Sequence, residues 1–147
     1  MPSPFEDFAL PVDAPAKFHP INPATSRRIL RKVEDGAPPD DEPCWISFLS
    51  WHSQAAQDWR NGRDDKLRRL GRAYTSAEEY EDFGGQLAAV TVDWRLIAPS
   101  GRLLEVRCDF DRARELWNGL EFRWLRFQAI AFLADDANFL PPSWRTS

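Results

Sequence analysis

Residues 122–140, FRWLRFQAIAFLADDANFL, constrain the fold more than any other stretch of the chain. On a helix of 3.6 residues per turn, Trp124, Phe127 and Ala131 form one stripe, while Phe122, Leu125, Ala129, Phe132 and Leu133 form a second. A surface helix of a small domain needs one apolar stripe. Two stripes mean that the helix is central, or that one closes the core and the other meets a partner; the spacing alone does not say which faces outward. Leu87, Val90, Trp94 and Trp117 are the expected core partners. Asp135, Asp136 and Asn138 read as the polar end of the helix rather than an active site, and Pro141-Pro142 cannot continue it.

The remaining elements follow from turn and capping signals. Residues 1–15 contain Pro2, Pro4, Pro11 and Pro15, which prevent regular pairing and predict a loose arm whose Phe5, Phe8 and Leu10 can dock on something. Phe18 and Ile21 lead into the turn Asn22-Pro23-Ala24-Thr25-Ser26, and Ile29, Leu30 and Val33 follow it, which predicts a hairpin. After the Pro- and acid-rich loop at 35–43, CWISFLS at 44–50 reads as a strand pairing with that hairpin. A helix capped by Ser50 or Ser53 follows, with Ala55, Ala56, Trp59, Leu67 and Leu70 on its apolar side. Ser76 and Glu79 have the spacing of a capping box for a second helix, which is expected to kink at Gly84-Gly85 and to run on through Leu87, Ala88, Val90, Thr91 and Trp94. The Pro99-Ser100-Gly101 turn and the extended stretch after it read as a loop between helices, and Asp109 caps a short helix that Gly119 ends.

These elements predict an α+β fold: a small N-terminal antiparallel β-sheet, a hairpin plus one strand, over residues 16–50, followed by a mainly α-helical bundle of about four helices over 51–140. Residues 1–15 form the arm, 16–140 a single domain, and 141–147 a tail carrying Trp144.

Composition limits the function. The chain has 147 residues, enough for one domain with a real core and no staples. A net charge of −4 argues against nucleic acid, whose binding depends on neutralising phosphates. The cluster Arg60, Arg63, Lys66, Arg68, Arg69 and Arg72 is broken by Asp64 and Asp65 and has no interleaved aromatic platform, so it reads as a solvated face or one meeting an acidic partner. No apolar run reaches the roughly 18 residues of a membrane span, and the first residues lack the pattern of a secretory signal, so a cytoplasmic location is expected. Seven Trp and ten Phe are many for this length, and Trp is favoured in interfaces as well as in cores.

Motifs for catalysis are missing from the sequence. His19 lies in the hairpin, and His52 stands beside Ser50 and Ser53 at a strand-to-helix boundary; no nucleophile elbow, phosphate loop, zinc helix or Cys/His cluster accompanies them. The acidic groups Asp40-Asp41-Glu42, Glu78-Glu79 with Glu81-Asp82, Asp109 with Asp111, and Asp135-Asp136 sit in loops or at helix ends, where capping and solvation account for them. Cys44 and Cys108 lack metal or redox spacing and are expected to be reduced thiols. No catalytic residue, metal or cofactor is expected.

The order of features resembles the tail assembly chaperones of long-tailed bacteriophages and phage-like elements. Ser53 at the head of the first helix, Leu87, Ala88 and Trp94 in LAAVTVDW, Phe110, Ala113 and Leu116 in the short helix, and Trp124, Gln128, Ile130, Asp135, Asn138 and Phe139 at the end carry the likeness, over about residues 16–140. The resemblance implies a non-enzymatic protein of the bacterial host cytoplasm that binds the tape-measure protein and helps recruit tail-tube subunits. Such a protein needs an accessible apolar surface, for which Phe122, Trp124, Leu125, Phe127, Ala131, Phe132 and Phe139 are the candidates; self-association into a homo-oligomer is a second use for it. The alternative is a tail-completion or head-to-tail joining protein retained in the virion.

Overall fold

Cys44, Ile46 and Phe48 alternate with Trp45 and Ser47, and this alternation organises the sheet. In the computed structural model, which describes residues 3–38, 41–141 and 144, Ile46 and Phe48 are fully buried on strand β2, Trp45–Phe48. Strand β1, Ala16–Phe18, pairs antiparallel with β2 in the register Ala16↔Phe48 and Phe18↔Ile46. On its other side β2 pairs antiparallel with β3, Thr91–Ile97, which pairs in turn with β4, Leu103–Leu104. The order is β1-β2-β3-β4. The fold is α+β, with four α-helices among the described residues: α1 Gln54–Leu70, α2 Ser76–Val90, α3 Phe110–Asn118 and α4 Arg123–Ala134.

The helix starts follow their caps. Ser53 Oγ accepts from Ala56 N at 3.3 Å and Asp109 Oδ1 from Arg112 N at 2.8 Å, as expected. The capping box of α2 lies one residue earlier than expected, with Thr75 and Glu78 exchanging side-chain to backbone bonds in place of Ser76 and Glu79.

Four expectations need correction. The hairpin at 18–33 shrinks to a turn: Ile21 bridges Arg28, Asn22 Oδ1 accepts from Ala24 N, and Ser26 takes a positive φ of 57°. Pro20 and Pro23 lack the donors a ladder needs, so residues 29–32 pair singly elsewhere, Ile29 O with Cys44 N and Lys32 N with Gly101 O, and β2 is the partner of β1. Second, α2 does not run through Trp94. Val90, Thr91 and Val92 are β-branched, and the Thr91 hydroxyl donates back to Leu87 O at 2.7 Å, so the chain passes directly from helix into β3. The strands are therefore not confined to residues 16–50. Third, Gly84-Gly85 does not break the helix, which is continuous over Ser76–Val90. A Cβ on Gly84 would collide with the Asn118 side chain and one on Gly85 with the Trp59 indole, so the pair lets α3 and α1 approach α2 closely. Fourth, the closing helix is shorter than 122–140: Phe122 belongs to a 3-10 turn before α4, and Asp136–Phe139 forms another after it, capped by Asp135.

The core lies between the sheet and the helices. Phe132 on α4 packs its ring against Phe18, Phe48 and Phe139, and Trp117 on α3 stacks on Phe48. A smaller cluster of Ile29, Cys44 and Ile97 joins the main one through Trp124. In the arm, Leu10 is half-buried and Asp13 accepts from Gln54 N, while Phe5 and Phe8 stay exposed on a 3-10 turn. Of the apolar side expected on α1, Ala56 is buried and Leu70 is exposed. Met1, Pro2, Pro39, Asp40 and most of the 141–147 tail, Pro142 included, lie outside the described residues; Trp144 is exposed.

Candidate partner-binding site

The two stripes separate except at their first residues, Trp124 and Phe122. Leu125, Ala129 and Leu133 are buried, and Phe132 is held among three aromatic rings, so these members of the second stripe face the core. Leu125 and Phe139, each 7% exposed, are core residues and not partner contacts. Trp124 is half-buried across the two apolar clusters and is likewise structural. Phe127, 63% exposed, and Ala131 point outward, and Phe122 is half-exposed. Seven candidates thus reduce to Phe122, Phe127 and Ala131, joined by Leu120, which is 68% exposed on the turn that carries Phe122.

Phe122 lines a groove of about 570 Å³. Its apolar lining comes from Trp94 and Leu96 on β3, Leu104 on β4, Val106 beyond it and Leu116 on α3; Glu105, Arg107, Asp109, Arg112 and Glu115 form the rim. Three rim groups are already engaged, since Asp109 caps α3 and Arg112 pairs with Glu115 at 2.9 Å. The Trp94 indole donates to Val106 O at 2.7 Å, which satisfies its N–H and holds the ring in the lining. An apolar trough with a polar rim suits an apolar side chain from another protein. Leu104 and Val106 as lining were missed because residues 102–108 read as a loop. The signal was present: LLEV alternates directly after the Ser100-Gly101 turn, facing the alternating run at 91–97.

The groups with chemical potential are engaged elsewhere. Ser53 Oγ caps α1, Ser50 Oγ accepts from His52 N, and the His52 ring lies 3.2 Å from Asp136 Oδ1 instead of either serine. His19 Nδ1 is 3.2 Å from Cys44 O. Three members of the basic cluster on and just after α1 pair with carboxylates: Arg63 contacts Glu79 and Asp82, Arg72 binds Glu78, and Arg68 pairs with Asp65. The Arg72 guanidinium, followed by the Thr75 N–H, lowers the Glu78 carboxyl from the usual 4.5 to about 2. Burial, reinforced by Asp93 and Asp109, pushes the Cys108 thiol up to about 11, and burial also raises Cys44. Among the described residues no group of three or more His, Cys, Asp or Glu side chains is placed to hold a metal ion, and no helix is long and apolar enough to cross a membrane.

The chain was compared with protein-family models, curated proteins and solved structures, and none of them matches it.

Proposed function

We propose that this protein is a tail assembly chaperone of a long-tailed bacteriophage or phage-like element. It acts without catalysis in the cytoplasm of the bacterial host, binds the tape-measure protein and helps bring tail-tube subunits to it. The observation that carries this reading is the apolar groove lined in part by Phe122, with Leu120 exposed on the same turn and Phe127 exposed on the helix that follows. A long helical client kept from aggregating needs such a surface, because its own apolar stripe has no partner until the tail forms.

Co-expression with the tape-measure protein tests the proposal. The wild type should raise the soluble yield of the client and co-purify with it, and Phe122→Ser and Phe127→Ser should reduce both. Phe127 is largely exposed, so its replacement should shift unfolding free energy by no more than about 0.5 kcal/mol. Unchanged client solubility together with no co-purification would sink the proposal. Stoichiometric presence in purified mature particles, measured by mass spectrometry, would favour the virion-retained alternative.

A further inference from the structure

Two segments far apart in sequence meet beside the turn between β3 and β4 and put unpaired cations together. That turn closes through Ala98 N to Arg102 O at 2.9 Å and Gly101 N to Ala98 O at 2.7 Å. It rests on the segment at 22–32 through Lys32 N to Gly101 O at 2.8 Å and Asn22 Nδ2 to Pro99 O at 3.5 Å. Glycine is required at 101, because its φ is 91° and a Cβ there would stand 2.6 Å from Lys32 Cβ. Lys32 and Arg102 thereby line one hollow of about 320 Å³ with Val33 and Glu34, and Arg27 and Arg28 continue the basic surface back along the chain. Arg27, Arg28, Lys32 and Arg102 are exposed, and their side chains make no hydrogen bond or ion pair among the described residues. Ile29 is buried, whereas Leu30 is 49% and Val33 37% exposed among the cations. The cluster on α1 differs, since Arg63, Arg68 and Arg72 there already hold carboxylates. Of the acids near this patch, Glu42 is engaged by Arg95 at 3.6 Å and by the Trp45 indole at 2.9 Å.

We propose that this patch binds an acidic segment of a partner protein, one whose carboxylates flank an aliphatic side chain that rests on Leu30 and Val33. In a chain with a net charge of −4, four uncompensated cations on one surface attract carboxylates and orient their approach. Phosphate polymers and anionic lipid surfaces fit less well. Glu34 lines the hollow that Lys32 and Arg102 share and repels phosphate, and no aromatic residue lines that hollow, so a base has nothing to stack on. A polypeptide can set a hydrogen-bond donor against Glu34 and carboxylates against the cations. None of the four cations lines the groove proposed for the tail client, so the patch is a second contact surface.

Fluorescence anisotropy with a labelled peptide of alternating Glu and Leu tests the patch. The wild type should bind it saturably at low salt and more weakly as salt rises, and the same peptide with Gln in place of Glu should not bind. Arg28→Glu, Lys32→Glu and Arg102→Glu should each weaken binding roughly fivefold. Arg68→Glu on α1 makes the same change in net charge outside the patch and should leave binding unchanged. All four side chains are exposed, and thermal unfolding of each variant checks that it folds. A wild type that ignores the acidic peptide at low salt overturns the proposal, as does an Arg68→Glu loss equal to that of the patch variants. A single-stranded oligonucleotide or a phosphatidylserine vesicle that binds through Arg28, Lys32 and Arg102 more tightly than the peptide overturns it in favour of that ligand. Phe122→Ser should leave peptide binding intact, so failure here is separable from failure of the chaperone proposal.

Discussion

Arg126 shows how a charged residue on the core side of α4 serves the fold. It is 5% exposed. Its guanidinium donates to Trp117 O at 3.0 Å, to Asn118 Oδ1 at 3.5 Å and to Tyr80 O at 2.9 Å, and it lies 3.6 Å from the centroid of the Tyr80 ring. A cation is well placed there, because Trp117 and Asn118 end α3, where helix carbonyls lack partners and the dipole is negative. Burial lowers its pKa from the ordinary arginine value without depriving it of those acceptors. Arg126→Met keeps much of the bulk but strands the carbonyls, which should cost roughly 2–3 kcal/mol in urea unfolding. A loss below about 0.5 kcal/mol would show that water takes over the bonds. Nothing in the local spacing of FRWLRF marks Arg126 as buried; its acceptors lie on α2 and α3, and only the packing of three helices brings them together.

At the level of elements, the capping signals were legible and the strand boundaries less so. Ser53 and Asp109 act through the next few residues, so their roles follow from local order. The switch from α2 to β3 at Thr91 depends on contacts that the sequence does not display, such as the Trp117 indole donating to the same Thr91 hydroxyl at 3.1 Å. The capping box of α2 makes a test of its own. Glu78 has its pKa lowered in the folded state, so its contribution is fully present above about 4.5 and is lost as pH falls toward about 2. Wild type should therefore be more stable than Glu78→Gln at neutral pH, and urea midpoints should converge as pH falls through that window. The pair is exposed and the gap should shrink in high salt. A gap that persists at pH 2 would locate the effect elsewhere.

Across the whole molecule, the α+β class was readable from periodicity, whereas the sheet order was not, because β1 and β2 are joined through a long excursion and β3 and β4 lie inside the region read as helical. For the binding surface, the sequence supplied the two stripes of α4 but not their orientation, which is decided by where Phe18 and Phe48 place the sheet. Cys44 can report on this assembly. It is buried with Ile29 and Ile97, and burial raises its thiol above the usual range. In a Cys108→Ser background, its alkylation at pH 8 should be slow and should accelerate in step with global unfolding as urea is added. Rapid labelling in native buffer would show that the sheet edge beside Ile29 opens independently. One long-range clamp has a temporal consequence. The Gln128 amide both donates to Ile21 O and accepts from Ile21 N, at 2.8 and 2.7 Å, across 107 residues of chain. With Phe132 and Phe139 closing the same end of the core over Phe18, the first strand cannot be sealed until nearly the last described helix has been made. On the ribosome the aromatic interior stays open until α4 and the 3-10 turn after it have emerged, and their docking is the event that shuts it.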